Sequence, residues 1–248
     1  MTLTISEMFY SIQGEGIYVG QPSLFLRLKG CNLTCGGKDT VKTKMLDSNA
    51  TWRCDTIEVW TKGSAYSFDS ICLNWEENNW IHHLKLGAHL IITGGEPLLQ
   101  QSQLTAFLNY FNTRYSFIPF IEIETNGTIA ICAELHPYIG HYNVSLKLNN
   151  SGMKKENYFV KSAINSFTQQ PNVTYKFVIS QKSDITQCIT TYIDHFNLPK
   201  KQVMLMPAAS SLKSLKFVQE QLAEWCKEFN FRLSTRLHIA IWDQKTGI

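Results

Sequence analysis

The stretch His89-Leu90-Ile91-Ile92-Thr93-Gly94-Gly95-Glu96-Pro97 decides the fold. Leu90-Ile91-Ile92 is a short unbroken apolar run, the pattern of a strand covered on both faces. Two glycines then give a turn, and Pro97 suits the first position of a helix. A helix over residues 101–112 and a strand over 120–124 are expected to follow. Upstream, residues 24–28 read as a strand. Phe68, Ile71, Cys72 and Trp75 fall at helical spacing within 67–86, with Ser67 as N-cap and Gly87 as the stop. Downstream, strands are expected at 142–148, 173–179 and 203–206. Between the last two, a helix capped by Ser183 or Asp184 runs to Phe196. Residues 212–229 carry an apolar face, and a last strand covers 235–242. Strands alternating with helices predict an α/β fold: a parallel sheet with helical crossovers.

At 248 residues the chain can bury a sizeable core, and 44% apolar with 17% charged residues is a globular balance. A net charge of +3 is too small to argue for nucleic acid. No apolar run reaches the roughly 20 residues of a membrane span, and polar Thr2, Thr4 and Ser6 give no sign of a signal peptide. Seven cysteines, an odd number, argue against a secreted disulfide framework and for reduced thiols in the cytoplasm.

Ligands of such sheets gather at the C-terminal ends of the strands. Four motifs are expected there: Cys31-Asn32-Leu33-Thr34-Cys35, Gly94-Gly95-Glu96-Pro97, Thr125-Asn126-Gly127 and Ser145-Leu146-Lys147. Two cysteines in a tight loop can offer two thiolates to one metal centre. They also suit burial as small hydrophobes, or part of a zinc site. Zinc in a non-catalytic interaction module would want a fourth ligand beyond Cys54, and the next are Cys72 and the His82-His83 pair. Gly94-Gly95 lets a ligand approach the backbone closely, leaving carbonyls or Glu96 to receive an ammonium group.

Three further stretches stand beside these: Phe9-Tyr10-Ser11-Ile12-Gln13-Gly14-Glu15-Gly16, Phe25-Leu26-Arg27-Leu28-Lys29-Gly30-Cys31, and Cys54-Asp55-Thr56. With Glu124-Thr125-Asn126-Gly127-Thr128 and Arg236-Leu237-His238, the set resembles the radical S-adenosylmethionine (SAM) superfamily and, within it, the 7-carboxy-7-deazaguanine synthase family. The resemblance implies one radical SAM domain on a partial, shortened β/α barrel. It implies conversion of 6-carboxy-5,6,7,8-tetrahydropterin to 7-carboxy-7-deazaguanine by ring contraction with loss of ammonia, a lyase step toward queuosine- or archaeosine-type nucleosides. A [4Fe–4S] cluster, SAM and Mg2+ are the implied cofactors, a homodimer the implied assembly, and a flavodoxin or ferredoxin the implied electron donor. A radical SAM activase for a glycyl-radical partner shares the cluster motif but leaves Ser11 to Gly16 and Arg27 unexplained.

Carried over by position, Cys31, Cys35 and Cys54 would hold the cluster and Thr56 the magnesium. Ile12, Gln13, Gly14, Glu15, Arg27, Thr93 and His238 would meet substrate. Gly95, Glu96, Ser145, Leu146 and Lys147 would meet SAM, with Met206 to Ala209 along the adenine. The usual Cys-x3-Cys-x2-Cys is interrupted, because the third position is Lys38. Lysine does not ligate such a cluster. An insertion over 36–53, exposed at Lys42, Lys44 and Asn49, makes Cys54-Asp55-Thr56 the second half of a split motif, since longer loops cost little. Arg27, in an apolar strand, needs a carboxylate partner if buried, such as Glu122 or Glu124.

Overall fold

The computed structural model describes residues 1–47, 49–245 and 247–248; Ser48, inside the 36–53 stretch, is outside the described residues. Among the described residues nine strands form one sheet: β1 Thr2–Ile12, β2 Pro22–Leu28, β3 Ser64–Ser67, β4 His89–Gly94, β5 Ile121–Thr125, β6 His141–Ser145, β7 Val173–Ile179, β8 Val203–Pro207 and β9 Arg232–Leu233. Their order is β3-β1-β2-β4-β5-β6-β7-β8-β9. From β2 to β9 neighbouring strands are parallel, joined by helical crossovers as expected. At the other edge β1 runs antiparallel to both β2 and β3, so the sheet is mixed. Only Gln13 to Gly16 of the N-terminal motif form a loop; Ser11 and Ile12 end β1.

One face of the sheet carries the core. Leu24, Leu26, Leu90, Ile92, Ile123 and Val144 are fully buried there against helices that include Phe68–Glu77 and Gln101–Tyr115. Ser67 caps the first of these, accepting the Ser70 N–H at 3.0 Å. The expected 67–86 helix is two helices, because Asn79 turns left-handed (φ 62°) before Trp80–Lys85. The helix expected to end at Phe196 starts from Gln181, paired with Asp184 in a capping box, and passes through a π turn at Ile189–Ile193. A helix at Lys161–Thr168 was not foreseen.

The expected last strand is a helix, Leu237–Trp242. Leu237, Ile239 and Ile241 alternate as a strand would, but only Ile239 is buried. The Leu237 N–H donates to Gly14 O (2.8 Å), which turns the chain away from the sheet edge. Burial of apolar residues on both faces of the strands holds only in part. Across β2 and β4 to β7, Arg27, Thr93, Glu122, Glu124, Asn143 and Lys176 alternate with the core residues and point the other way.

Candidate active site

All of these inward residues but Glu122 border a cavity of about 730 Å³. Every site residue expected from the sequence lines it except Glu96 and Leu146. Leu146 is in the core, 1% exposed. The Glu96 carboxylate is fully buried and turned into the fold. It accepts from Leu98 N–H (3.0 Å), Asn126 N–H (2.7 Å) and Thr125 Oγ1 (2.9 Å), tying the turn after β4 to the end of β5. Burial raises its pKa, and the Asn126 and Leu98 N–H groups only partly oppose this. With its oxygens so engaged, it is not placed to receive a ligand's ammonium group.

Cys31, Cys35 and Cys54 line one side of the cavity. The loop carrying the first two is fixed by Asn126, whose Nδ2 donates to Asn32 Oδ1 (2.9 Å), while Asn32 Nδ2 donates to Thr128 Oγ1 (2.7 Å). Gly95 sits so close that a Cβ there would lie 2.3 Å from Gly30 O and 2.5 Å from Cys31 Cβ, which excludes any side chain. Cys54 is brought in across the sequence gap by its own N–H, which donates to Cys35 O (3.0 Å). Lys38 is exposed and lies outside the cavity lining, so Cys54 stands with the other two thiols. Burial pushes the Cys31 thiol up to about 11 and the Cys35 thiol to about 12, so metal loading must displace protons there.

Among the described residues no group of three or more His, Cys, Asp or Glu is arranged to hold a single metal ion. In an iron–sulfur cubane each thiolate takes a different iron, so three thiols that do not converge on one point still suit it. The Thr56 hydroxyl lies 3.4 Å from Cys54 Sγ and does not cap the helix Ile57–Trp60 that it precedes. It is left as an oxygen donor of the kind magnesium prefers.

On the same cavity, Arg27 pairs with Glu7 through Nε (2.7 Å), its direct neighbour across β1 and β2. The partners suggested by the sequence are engaged elsewhere. Glu124 accepts from Thr93 Oγ1 (2.9 Å) and Gln13 Nε2 (3.4 Å); Glu122 binds His89 (2.8 Å) and Asn143 (2.8 Å). Glu15 is held by Lys176 and by Arg236 Nε (2.9 Å), and Arg236 also grips Asp55 and Ala209 O. Burial works to raise the Glu15 and Asp55 carboxyls, but the cations around them outweigh it and hold both below their ordinary values. Burial likewise works to lower Lys176, and Glu15 with Glu124 reverses it, so the ammonium stays charged.

Gln13 and Gly14 are buried, and a Cβ on Gly14 would lie 2.2 Å from His238 Nδ1. His238 Nε2 stands 4.0 Å from Glu15, with its pKa lowered by burial against the pull of that carboxylate. Ser145 accepts from Lys147 Nζ (2.8 Å), and the Lys147 ammonium lies 5.8 Å from the Trp52 ring centre. Met206 and Ala209 also reach the cavity.

Sequence reasoning did not assign Glu7, Asp55, Glu124, Lys176 or Arg236 to the site. A lysine inside the otherwise apolar run Val173–Ile179 was a readable signal. Glu7 opposite Arg27 was not, since it depends on strand register.

No protein-family model matches the chain. Its sequence is similar to proteins named 7-carboxy-7-deazaguanine synthase from three sources. The one from Pyrobaculum aerophilum is 29% identical over 244 residues, 98% of this chain and 96% of that one. The Halobacterium salinarum protein is 28% identical over 267 residues, covering 97% and 91%. The Clostridium acetobutylicum protein is 27% identical over 256 residues, covering 100% of both chains. The crystal structure of QueE from Escherichia coli has the same fold, with a TM-score of 0.61 and 24% identity over 96% of this chain and 95% of that chain. Matched almost from end to end by several synthases of one name, the chain is a relative of the 7-carboxy-7-deazaguanine synthases.

Proposed function

We propose that the protein converts 6-carboxy-5,6,7,8-tetrahydropterin to 7-carboxy-7-deazaguanine, the product for which its relatives are named. The observation that carries this reading is the meeting of three separated thiols and the Gln13 to Glu15 loop on one cavity. Cys31, Cys35 and Cys54 would hold a [4Fe–4S] cluster, with Gly95, Ser145 and Lys147 beside SAM and Thr56 on magnesium. When bound there, cluster and SAM would supply radical hydrogen-abstraction chemistry, which belongs to the cofactors.

The chain's own part is positioning. Arg27 gives only its Nε edge to Glu7, leaving both terminal nitrogens of its planar fork for a substrate carboxylate. Gln13 and Thr93, both on Glu124, present amide and hydroxyl groups to the pterin edge. Glu15, kept ionised by Lys176 and Arg236, is an acceptor for pterin N–H groups, and His238 stands next to it. The 36–53 stretch acts as an insertion in a single radical SAM domain. A homodimer and a flavodoxin- or ferredoxin-type reductant complete the reading on the resemblance alone, and a cytoplasmic setting rests on the odd number of cysteines. No described helix is long and apolar enough to cross a membrane.

Anaerobic reconstitution with iron and sulfide should give protein that cleaves SAM and forms the deazaguanine from the pterin with no partner protein added. Full cluster and SAM cleavage without that product would defeat the substrate assignment.

A further inference from the structure

The split motif poses a mechanical problem. A free loop over 36–53 would leave Cys54 to wander relative to Cys35. The structure pins both ends of that loop to consecutive carbonyls of one turn, Asn149–Ser151, which follows β6. Gly36 N–H donates to Ser151 O (2.9 Å) and Thr51 N–H donates to Asn150 O (2.9 Å). Trp52 then adds an indole N–H to Asn150 Oδ1 (3.0 Å), two residues before Cys54.

Asn150 is itself held fast. It is 5% exposed, and its Nδ2 donates to Val178 O (2.9 Å) and Asp184 Oδ2 (2.8 Å). The same Asp184 oxygen accepts the N–H groups of Ser180 (2.8 Å) and Gln181 (3.1 Å), where β7 gives way to the helix Lys182–Cys188. A continuous line of hydrogen bonds thus runs from β7 through Asp184 and Asn150 to Trp52. The position demands one acceptor and two donors on a small planar group, which an asparagine amide supplies. An aspartate would lose both donors and face the Asp184 carboxylate.

We propose that Asn150 is a positioning residue. Its side chain ties the C-terminal end of the 36–53 insertion, through Trp52, to β7, and so holds Cys54 beside Cys31 and Cys35 for cluster binding. The proposal deepens the reading above and rests on its assignment of Cys54 as a ligand.

Two measurements on Asn150→Ala and Trp52→Phe test it: alkylation rates of individual cysteines in metal-free protein, followed by mass spectrometry, and bound iron and sulfide after reconstitution. In Asn150→Ala, which loses the bonds to Trp52, Val178 and Asp184, Cys54 alkylation should rise about fivefold relative to Cys31. Bound iron should drop by roughly half or more, as for lost outer-shell support of a metal site. Trp52→Phe keeps the Asn150 bonds to Val178 and Asp184, so it should show the same bias at about twofold. If Asn150→Ala fails to fold, Trp52→Phe decides the matter.

The parental alkylation ratio with full iron would overturn the clamp. So would an equal rise at Cys31, Cys54 and the distant Cys132, which would mark general loosening. A Cys54→Ala control separates the two claims. If it keeps full iron, the ligand assignment fails, while the alkylation ratios still judge the clamp.

Discussion

The two faces of the sheet are buried almost equally and built from opposite materials. Ile92, Ile123, Val144 and Tyr175 on the outer face are fully buried; Glu122 is 0% and Lys176 is 8% exposed on the inner one. Outer residues contribute by leaving water, roughly in proportion to their apolar area. Inner residues lose hydration and recover it only by pairing, as Glu15 does with Lys176 and Arg236. Changes on the outer face should therefore be felt in stability, and changes on the inner face in chemistry.

The sharpest contrast is among the cysteines. Cys54→Ala should lose nearly all cluster iron on reconstitution. Cys188→Ala, in the outer core, should keep its iron and lower the melting temperature by about 2–4 °C, as a loss of about 1 kcal/mol would. Iron loss from both variants would erase the distinction between the faces. Next in size, Phe107→Ala beneath the sheet should cost about 3–5 kcal/mol in denaturant unfolding. The kcat/KM of its folded fraction should stay near that of the parent, and a large fall there would mean that the outer face shapes the site directly.

Arg27→Ala should reverse that pattern. Loss of a charge-assisted, bidentate contact of about 2–3 kcal/mol should reduce kcat/KM for the carboxylated pterin roughly 100-fold, with little change in melting temperature. An unaltered KM and kcat would remove Arg27 from substrate binding.

The smallest effect concerns pH. Burial lowers the His141 pKa to about 4, from an ordinary value of 6.5. Because the unfolded chain takes up the proton first, the related stability is complete above 6.5 and drains away as pH falls toward 4. It amounts to about 2 kcal/mol lost by pH 5. Unfolding of His141→Gln across this interval should show a flatter pH dependence than the parent, and parallel curves would exclude His141 as the source.

The alternation of strands and helices, the turn after β4 and the cysteine loop were legible because each is set by neighbours in sequence. Val173–Ile179 was read to the residue. The terminal helix was missed because Leu237-Ile239-Ile241 alternate like a strand, while the bond that bends them comes from Gly14, over two hundred residues away. The split motif could be joined from Cys-Asp-Thr alone, yet the means of joining could not, since Asn150 has no mark of its own beside Asn149. Arg236 and Asp55 lie in two of the motifs read from the sequence, but their pairing is made only by the fold.

Gly14 to Leu237, Gly16 to Ser234 and Glu15 to Arg236 strap the loop after β1 to the segment after β9, more than two hundred residues further along the chain. Synthesis proceeds from the N-terminus, and earlier elements can fold while later ones are still unmade. Eight strands can therefore assemble around an open trough before residues 232–242 arrive. That side of the cavity is therefore completed only after the other strands are made, and until then the trough stays open along it.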